Sequence, residues 1–428
     1  MIVTATSTIR ALLCARGLRA FADGLISLVL PLYLTALGFT PLEVGAMATA
    51  TLLGSGLLTL VLGMHGNRFA HRALLLAASA LMAATGIAFA TLQSFWPLLV
   101  VAVVGTLNPS SGDVSVFLPL EQALLARSVA DARRTSVFAR YSLVGALIGA
   151  TGALAAGAPS WIVQRWHVDL PTACRAMFIV YALLGIAAGA IYRRLPAMPA
   201  PVSERRPSPL HRSRRIVYTL AGLFSVDAFA GGFLVQSLLA LWLFRRFELS
   251  IEVAGSIFFW TGVLSALSYL VASRMASRIG LVKTMVFTHL PSSLLLLMVP
   301  YAPTLTWVIA LLLMRSALSQ MDVPTRNSYV MAIVAPDERV AAASITSVPR
   351  SLASAISPLF AGYLLALSSF AWPLLIAGAL KIAYDLALLA MFRTVRPPEE
   401  AAPLSGLAGK TAAAEESTRQ RSTMQPGA

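Results

Sequence analysis

Charge is scarce in this chain. Only 12% of the 428 residues are Asp, Glu, Lys or Arg, against about 25% in an ordinary soluble domain, a shortage that excludes a surface wetted on every side. Acids are scarcer still, 18 against 33 Lys and Arg, for a formal net charge of +15. Cysteine is nearly missing: Cys14 and Cys174 have no partner spacing, which excludes a disulfide framework and a thiolate metal site. There is no His-Glu-x-x-His, no Gly-x-Ser-x-Gly and no His/Cys cluster on one helical face. The sequence therefore carries no hydrolase or metalloenzyme signature, and no cofactor is expected. Gly409-Lys410-Thr411 resembles the end of a phosphate-binding loop, but Leu404 stands where the first glycine is needed, which argues against ATP as the energy source.

What the chain has instead is long apolar runs. It is 57% hydrophobic with a mean hydropathy of +0.77, and a helix needs about 20 apolar residues to cross a bilayer. Twelve crossings are predicted near 11–37, 42–63, 73–92, 96–125, 137–158 and 173–192, then 216–244, 252–273, 282–301, 304–333, 341–369 and 371–392. Barrel strands alternate apolar and polar residues; these continuous Leu/Ala/Val runs do not. Arg16, Arg19 and Asp23 interrupt the first run, which therefore reads as a retained helix rather than a cleaved leader.

The positive charge sits in loops. Sixteen Lys and Arg flank the even-numbered crossings 2, 4, 6, 8 and 10, against Arg165, Arg245 and Arg246 on the other side. That asymmetry predicts a multi-pass protein with both termini cytoplasmic, and it removes the reason to expect nucleic acid as a partner; a bacterial inner membrane is the expected location. Residues 193–215 hold five prolines and seven arginines and read as a linker, and 393–428 as a disordered tail. The expected layout is a six-helix bundle over 1–192, the linker, and a second bundle over 216–392, in a chain that works as a monomer.

The second six runs echo the first. Gly63, Asn67, Arg68 and Ala70 after run 2 are answered by Ser273, Ser277, Arg278 and Gly280 after run 8, at an offset of 210. Gly145-x-x-x-Gly149 in run 5 is mirrored by Ala353-x-x-x-Ser357-Pro358 in run 11, at 208. Asp113 answers Asp322 at 209, whereas Glu121 falls on Arg326 only at 205. Six is even, so the two halves enter the membrane from the same side and are related by an axis along its normal.

This pattern over residues 10–392 resembles the major facilitator superfamily of secondary transporters. The loop from Gly63 through Asn67, Arg68 and Ala70 to Arg72 is similar to its signature between helices 2 and 3, G-x-x-x-D-R-x-G-R-K, with Asn67 and Ala70 in place of Asp and Gly. The resemblance implies a cytoplasmic gate at these residues and their counterparts, weakened in its charge relay by Asn67. It also implies a helix-bend motif at Gly145 and Gly149, where Ala150 replaces the antiporters' proline, with a sharper copy at Ser357-Pro358.

Ionised groups at mid-bilayer cost about 2.5–3.5 kcal/mol each, so those within the runs need partners or a wet cavity. Asp23 and Asp227 lie at equivalent depths in helices 1 and 7. Arg315, Ser319, Asp322 and Arg326 share one face of helix 10, either as a polar wall of a translocation path or as a static Asp322–Arg326 pair. Arg350 lies among Ser347, Ser354 and Ser357 on helix 11, and Asp113 beside Asn108-Pro109 and Gly112 marks a hinge in helix 4. Glu121 is expected at the gate with Arg127, Arg133 or Arg140, while Lys381 and Asp385 are expected to neutralise each other within helix 12, and His289 to be a satisfied core residue. Asp23, Asp113, Asp227 and Asp322 roughly offset Arg315, Arg326 and Arg350, a mixture suited to a zwitterion or weakly charged molecule. Efflux of a small organic compound in exchange for protons is the first expectation. Uptake by proton symport or uniport is the second, and a membrane enzyme or receptor the rival from another class.

Overall fold

The computed structural model describes residues 5–65, 69–110, 115–129, 131–196, 213–334, 338–393 and 395. Those residues form no strand, as a chain without water to satisfy its backbone in the hydrocarbon requires. They fold into α1 (Ala5–Ala36), α2 (Pro41–His65), α3 (His71–Thr91), α4 (Phe95–Val104), α5 (Phe117–Ser128), α6 (Asp131–Ala155), α7 (Ala158–Trp166) and α8 (Leu170–Tyr192). After the linker come α9 (Arg214–Gly232), α10 (Gln236–Phe247), α11 (Ile251–Ile279), α12 (Leu281–Met298), α13 (Leu305–Leu318), α14 (Asp322–Ile333), α15 (Arg339–Leu367) and α16 (Trp372–Phe392).

Among the described residues ten stretches are long and apolar enough to cross a membrane, two of them the joined pairs α6–α7 and α9–α10. The two remaining crossings, the fourth of each half, are split into short helices, α4 with α5 and α13 with α14. Twelve crossings result, as expected, but the fourth and tenth are not the continuous rods that 96–125 and 304–333 suggested. The chemistry of the breaks is local. After Gly105 ends α4, the Asn108 side chain accepts from Ser110 N at 3.1 Å and Ser110 Oγ at 2.7 Å, a turn that competes with helix. In crossing 10, Pro324 has no N–H for the carbonyl four residues back, and the chain turns at Ser319–Met321 before α14 begins.

The packing repeats between halves. Crossings 1 and 5 pair as α1 on α6, and 7 and 11 as α9 on α15; crossings 3 and 6 pair as α3 on α8, and 9 and 12 as α12 on α16. The halves meet through α2 on α15 and α6 on α11, two pairs that exchange under the same twofold relation. A Cβ on Gly45 would lie 2.6 Å from the Pro358 carbonyl oxygen and 2.8 Å from Gly362 Cα, and one on Gly255 2.7 Å from the Ala153 oxygen. These contacts fall near the start of α2 and α11 and the end of α6 and α15, the side remote from the linker. There the apolar core runs through both halves, from Leu30 and Tyr33 to Leu238 and Trp242. On the linker side the second half keeps a core of its own around Val217, Phe224, Tyr329 and Leu388, and α5, α9 and α14 pack mainly on helices of their own half. Among the described residues, the two bundles join at the far side.

Gly362→Leu should part that junction, because overpacking a backbone contact costs about 1–3 kcal/mol and no side chain there can yield. With Cys14 and Cys174 replaced, a cysteine placed on the buried junction should turn reactive to a polar maleimide in the variant and stay protected in the parent. Equal protection in both refutes it.

Candidate functional site

Buried charges gather at one level in each half, and the structure decides their partners. In the second half Arg326 Nη1 of α14 donates to Asp322 Oδ2 at 3.2 Å and to Asp227 Oδ2 of α9 at 3.1 Å. Asp227 Oδ1 also accepts from Lys381 Nζ of α16 at 2.8 Å. Lys381 Nζ lies 3.3 Å from His289 Nε2 of α12, whose Nδ1 is 3.0 Å and 3.1 Å from the two oxygens of Asp385. An ammonium can only donate, so Nε2 accepts and Nδ1 carries the proton toward Asp385. The result is a ladder from Asp322 through Arg326, Asp227, Lys381 and His289 to Asp385 that ties four crossings together. The Arg326 guanidinium also sits 5.5 Å from the Phe224 ring, which keeps its face dry.

The first half carries the equivalent tie with the charges exchanged. Arg19 of α1 pairs with Glu121 of α5, where the second half has an acid on crossing 7 and an arginine on crossing 10. Tyr141 and Tyr192 donate their hydroxyls to Glu121, Arg19 Nε donates to the Tyr192 oxygen at 3.1 Å, and the guanidinium lies 4.2 Å from the Phe117 ring. The awkward offset of 205 between Glu121 and Arg326 in the sequence is thus the spacing of two structurally matched residues, one at each fourth crossing.

Two expectations are corrected here. Glu121 is fully buried against Arg19 and two tyrosines, its side of α5 packing on α1 and α6, while the Arg127 and Arg133 side chains lie outside the described residues. Lys381 and Asp385 do not neutralise each other. Although i, i+4 on one helix, each reaches a different residue of a neighbouring crossing, Lys381 to Asp227 and Asp385 to His289. His289 is satisfied, as expected, but on both ring nitrogens and inside a chain of charges.

The remaining candidates divide. Asp227, Asp322 and Arg326 come together. Asp23 is buried, 8% exposed, and makes no hydrogen bond or ion pair among the described residues; Arg19 and Arg16 act on it only through space. Arg315 and Arg350 have Nε atoms shut off from solvent and without a partner. Asp113, Asn67 and Arg68 lie outside the described residues. Of the other gate residues, Gly63 falls in the last turn of α2, Arg72 in the first turn of α3, and Ser273, Ser277 and Arg278 in the last turns of α11. Gly280 follows with φ +88°, a conformation glycine takes without strain, and so ends α11. α6 runs unbroken through Gly145 and Gly149; a Cβ on Gly145 would meet the Arg16 guanidinium, and one on Gly24 the Gly149 backbone. Those glycines therefore admit close neighbours. Ser357 and Pro358 are internal to α15, with Ser357 Oγ bonded back to Ser354 O at 3.2 Å. Sequence reasoning missed Tyr141 and Tyr192, whose only signal was a hydroxyl inside an apolar run.

Comparison with known proteins agrees with this architecture. The profile of the Major Facilitator Superfamily matches residues 12–234 and 221–423. The uncharacterized membrane protein YJR124C of Saccharomyces cerevisiae is 26% identical over 425 residues, covering 91% of this chain and 94% of its own. Among solved structures, the nucleoside transporter NupG superposes with a TM-score of 0.69 at 13% identity over 90% of this chain and 99% of its own. A partially occluded inward-open form of the xylose transporter XylE from E. coli does so with a TM-score of 0.67 at 13% identity over 91% and 100%. Identities this low speak for the fold. With the family profile spanning both halves of the twelve-crossing bundle, this chain is a member of the Major Facilitator Superfamily, a multi-pass membrane transporter.

Proposed function

We propose that this protein is a proton-coupled secondary transporter that moves a small organic molecule by rocking its two halves about a midplane site, exporting the molecule in exchange for protons. The observation that carries this reading is the one-sided junction: among the described residues the halves hold each other at the glycine contacts of Gly45, Gly362 and Gly255, while each half keeps its buried charges on its own helices. With the loop arginines placing the linker, both termini and the open side in the cytoplasm, the described conformation faces inward. The bundles take the bounds 1–192 and 216–392 joined by 193–215, and the loops at Gly63–Arg72 and Ser273–Gly280 serve as the inner gate.

Asp23 is the proposed proton carrier. Glu121, Asp227, Asp322 and Asp385 are each held by a cation, an imidazole or phenols, whereas Asp23 bonds to none among the described residues, Arg19 and Arg16 acting on it only through space. A carboxylate with no cation against it is the one that gains and loses a proton without first breaking an ion pair. Asp322, which shares Arg326 with Asp227, is the proposed exchange point, since Arg326 keeps a second acid when Asp322 lets go.

Thermal stabilisation across a panel of metabolites and drugs should find a binder, which raises stability with occupancy. Inside-out vesicles with an acid interior should then accumulate that compound, and Asp23→Asn should lose the dependence on the gradient. Accumulation driven by an alkaline interior instead assigns uptake with protons. Movement that ignores the gradient in both directions removes proton coupling.

A further inference from the structure

Crossing 8 opens with an acid that its counterpart in the first half uses differently. At the start of α2, Thr40 and Glu43 close a capping box: Glu43 Oε2 accepts from Thr40 N at 2.7 Å and from Thr40 Oγ1 at 2.8 Å, and Glu43 N donates to Thr40 Oγ1 at 3.3 Å. Glu252 is the matching acid of α11, at the offset of 209 that also relates Asp113 to Asp322. Ser250 caps that helix, however, and Glu252 stands two residues after the cap instead of three. One residue turns an α-helix by about 100°, which carries this side chain away from the capping position.

It reaches the other half. A Cβ on Gly157 would lie 3.1 Å from Glu252 Cγ and 3.5 Å from its Cα, and the hydroxyls of Ser250 in its own turn and of Ser160 in α7 lie within hydrogen-bonding reach of its carboxylate. Gly157 has φ −68° and ψ −14°, a conformation open to every residue, so the backbone there does not call for glycine. The close approach of Glu252 does. Gly157 is also the residue from which α7 starts, so the acid stands at the positive end of a helix across the junction.

The glycine contacts of this junction are held by dispersion, because in hydrocarbon no apolar term draws helices together. They weaken gradually as the halves separate, whereas a charge-assisted hydrogen bond is lost once its partners part. Burial decides which acid can make and break such a bond in every cycle. Glu121 is fully buried, and freeing it from Arg19 would strand both charges. Glu252 is exposed, so its carboxylate meets water when released and closes again at little cost.

We propose that Glu252, seated on Gly157 and Ser160, is the latch of the outer gate: it holds the start of crossing 8 to the end of crossing 5 while the linker side is open, and lets go when the far side opens. This rests on the rocking reading above and gives the far side of the junction a residue that acts as a switch.

The test follows distances between the halves in the full-length protein in nanodiscs, with Cys14 and Cys174 replaced. One spin-label pair takes Arg165 and Arg246 on the far side, another Arg140 and Lys283 on the linker side, all four exposed. Ser160→Ala, Glu252→Ala and Gly157→Leu, the last keeping the acid but filling its seat, should each raise the ratio of long to short far-side distances about threefold to tenfold. The linker-side pair should shorten in step. Ser160→Ala combined with Glu252→Ala should do no more than either alone. Glu43→Ala, which removes a capping acid bonded only within its own turn, should leave both distances as in the parent. Unchanged distances in the three latch variants overturn the proposal, as does an equal shift in Glu43→Ala. Far-side lengthening beside a fixed linker-side pair is fraying of α7 and overturns it too. Two populations at both pairs in the parent, changing in opposite senses, keep the rocking reading whatever the variants do. A single distance at each pair, in the parent and in every variant including Gly362→Leu, removes that reading and the latch together.

Discussion

Glu121→Leu is expected to cost about 3–5 kcal/mol, the penalty for removing one member of a buried ion pair. Glu121 is fully buried and accepts from Arg19, Tyr141 and Tyr192. Without it Arg19 keeps only the Tyr192 oxygen, in a position too deep for its head to reach water. The penalty comes from the stranded charge more than from the lost attraction, so adding Arg19→Met should recover part of the loss. It should not recover all of it, because two tyrosine hydroxyls then stand without an acceptor at about 1–3 kcal/mol each. Converting both tyrosines to Phe in the same background should restore most of the remainder. Melting temperature and the monodisperse fraction in detergent follow the series. If the single and double variants lose the same stability, Arg19 is not stranded and the pair is no structural tie.

That experiment concerns a part of the molecule hidden from sequence reasoning, and the reason is physical. The twelve crossings were legible because a run of about 20 apolar residues has few alternatives, and the doubled order of the helices because the repeats at Gly63 and Ser273 survive as pattern. The breaks in crossings 4 and 10 left signals, Asn108-Pro109 and Pro324, but each lay inside an apolar run long enough to span without interruption. Charge partners were not legible. A water-facing helix shows its inner face by periodicity, whereas the first crossing is apolar nearly all round and buried over most of its length, so its pattern does not say which way Arg19 turns. Spacing then proposes the nearest partner, as it did for Lys381 with Asp385. The structure instead rotates each toward another crossing. Once Glu121, Asp227, Asp322 and Asp385 had partners, Asp23 stood out among the described residues by making no hydrogen bond or ion pair.

Asp227 and Asp322 contact the same arginine, and replacing them should have opposite consequences. Asp227→Ala removes the acid that joins α9 to α14 and α16, leaving Lys381 with only the His289 nitrogen at 3.3 Å and Arg326 with only Asp322. Lys381 then has no carboxylate against it while Arg326 keeps one, and a loss of about 3–5 kcal/mol is expected. Asp322→Asn leaves the Arg326–Asp227 and Lys381–Asp227 bonds intact, and the amide oxygen still accepts from Arg326, so the variant should stay folded with a melting temperature within a few degrees of the parent, as expected for a change of about 1 kcal/mol. What it loses is the ability to trade its charge. If Asp322 exchanges Arg326 during the cycle, Asn there abolishes gradient-driven movement in vesicles while the cargo-dependent rise in melting temperature persists. A variant that melts like the parent and transports like it would mean that the Asp322–Arg326 bond merely holds α14 to its place, and the exchange would have to be sought at Asp23 alone.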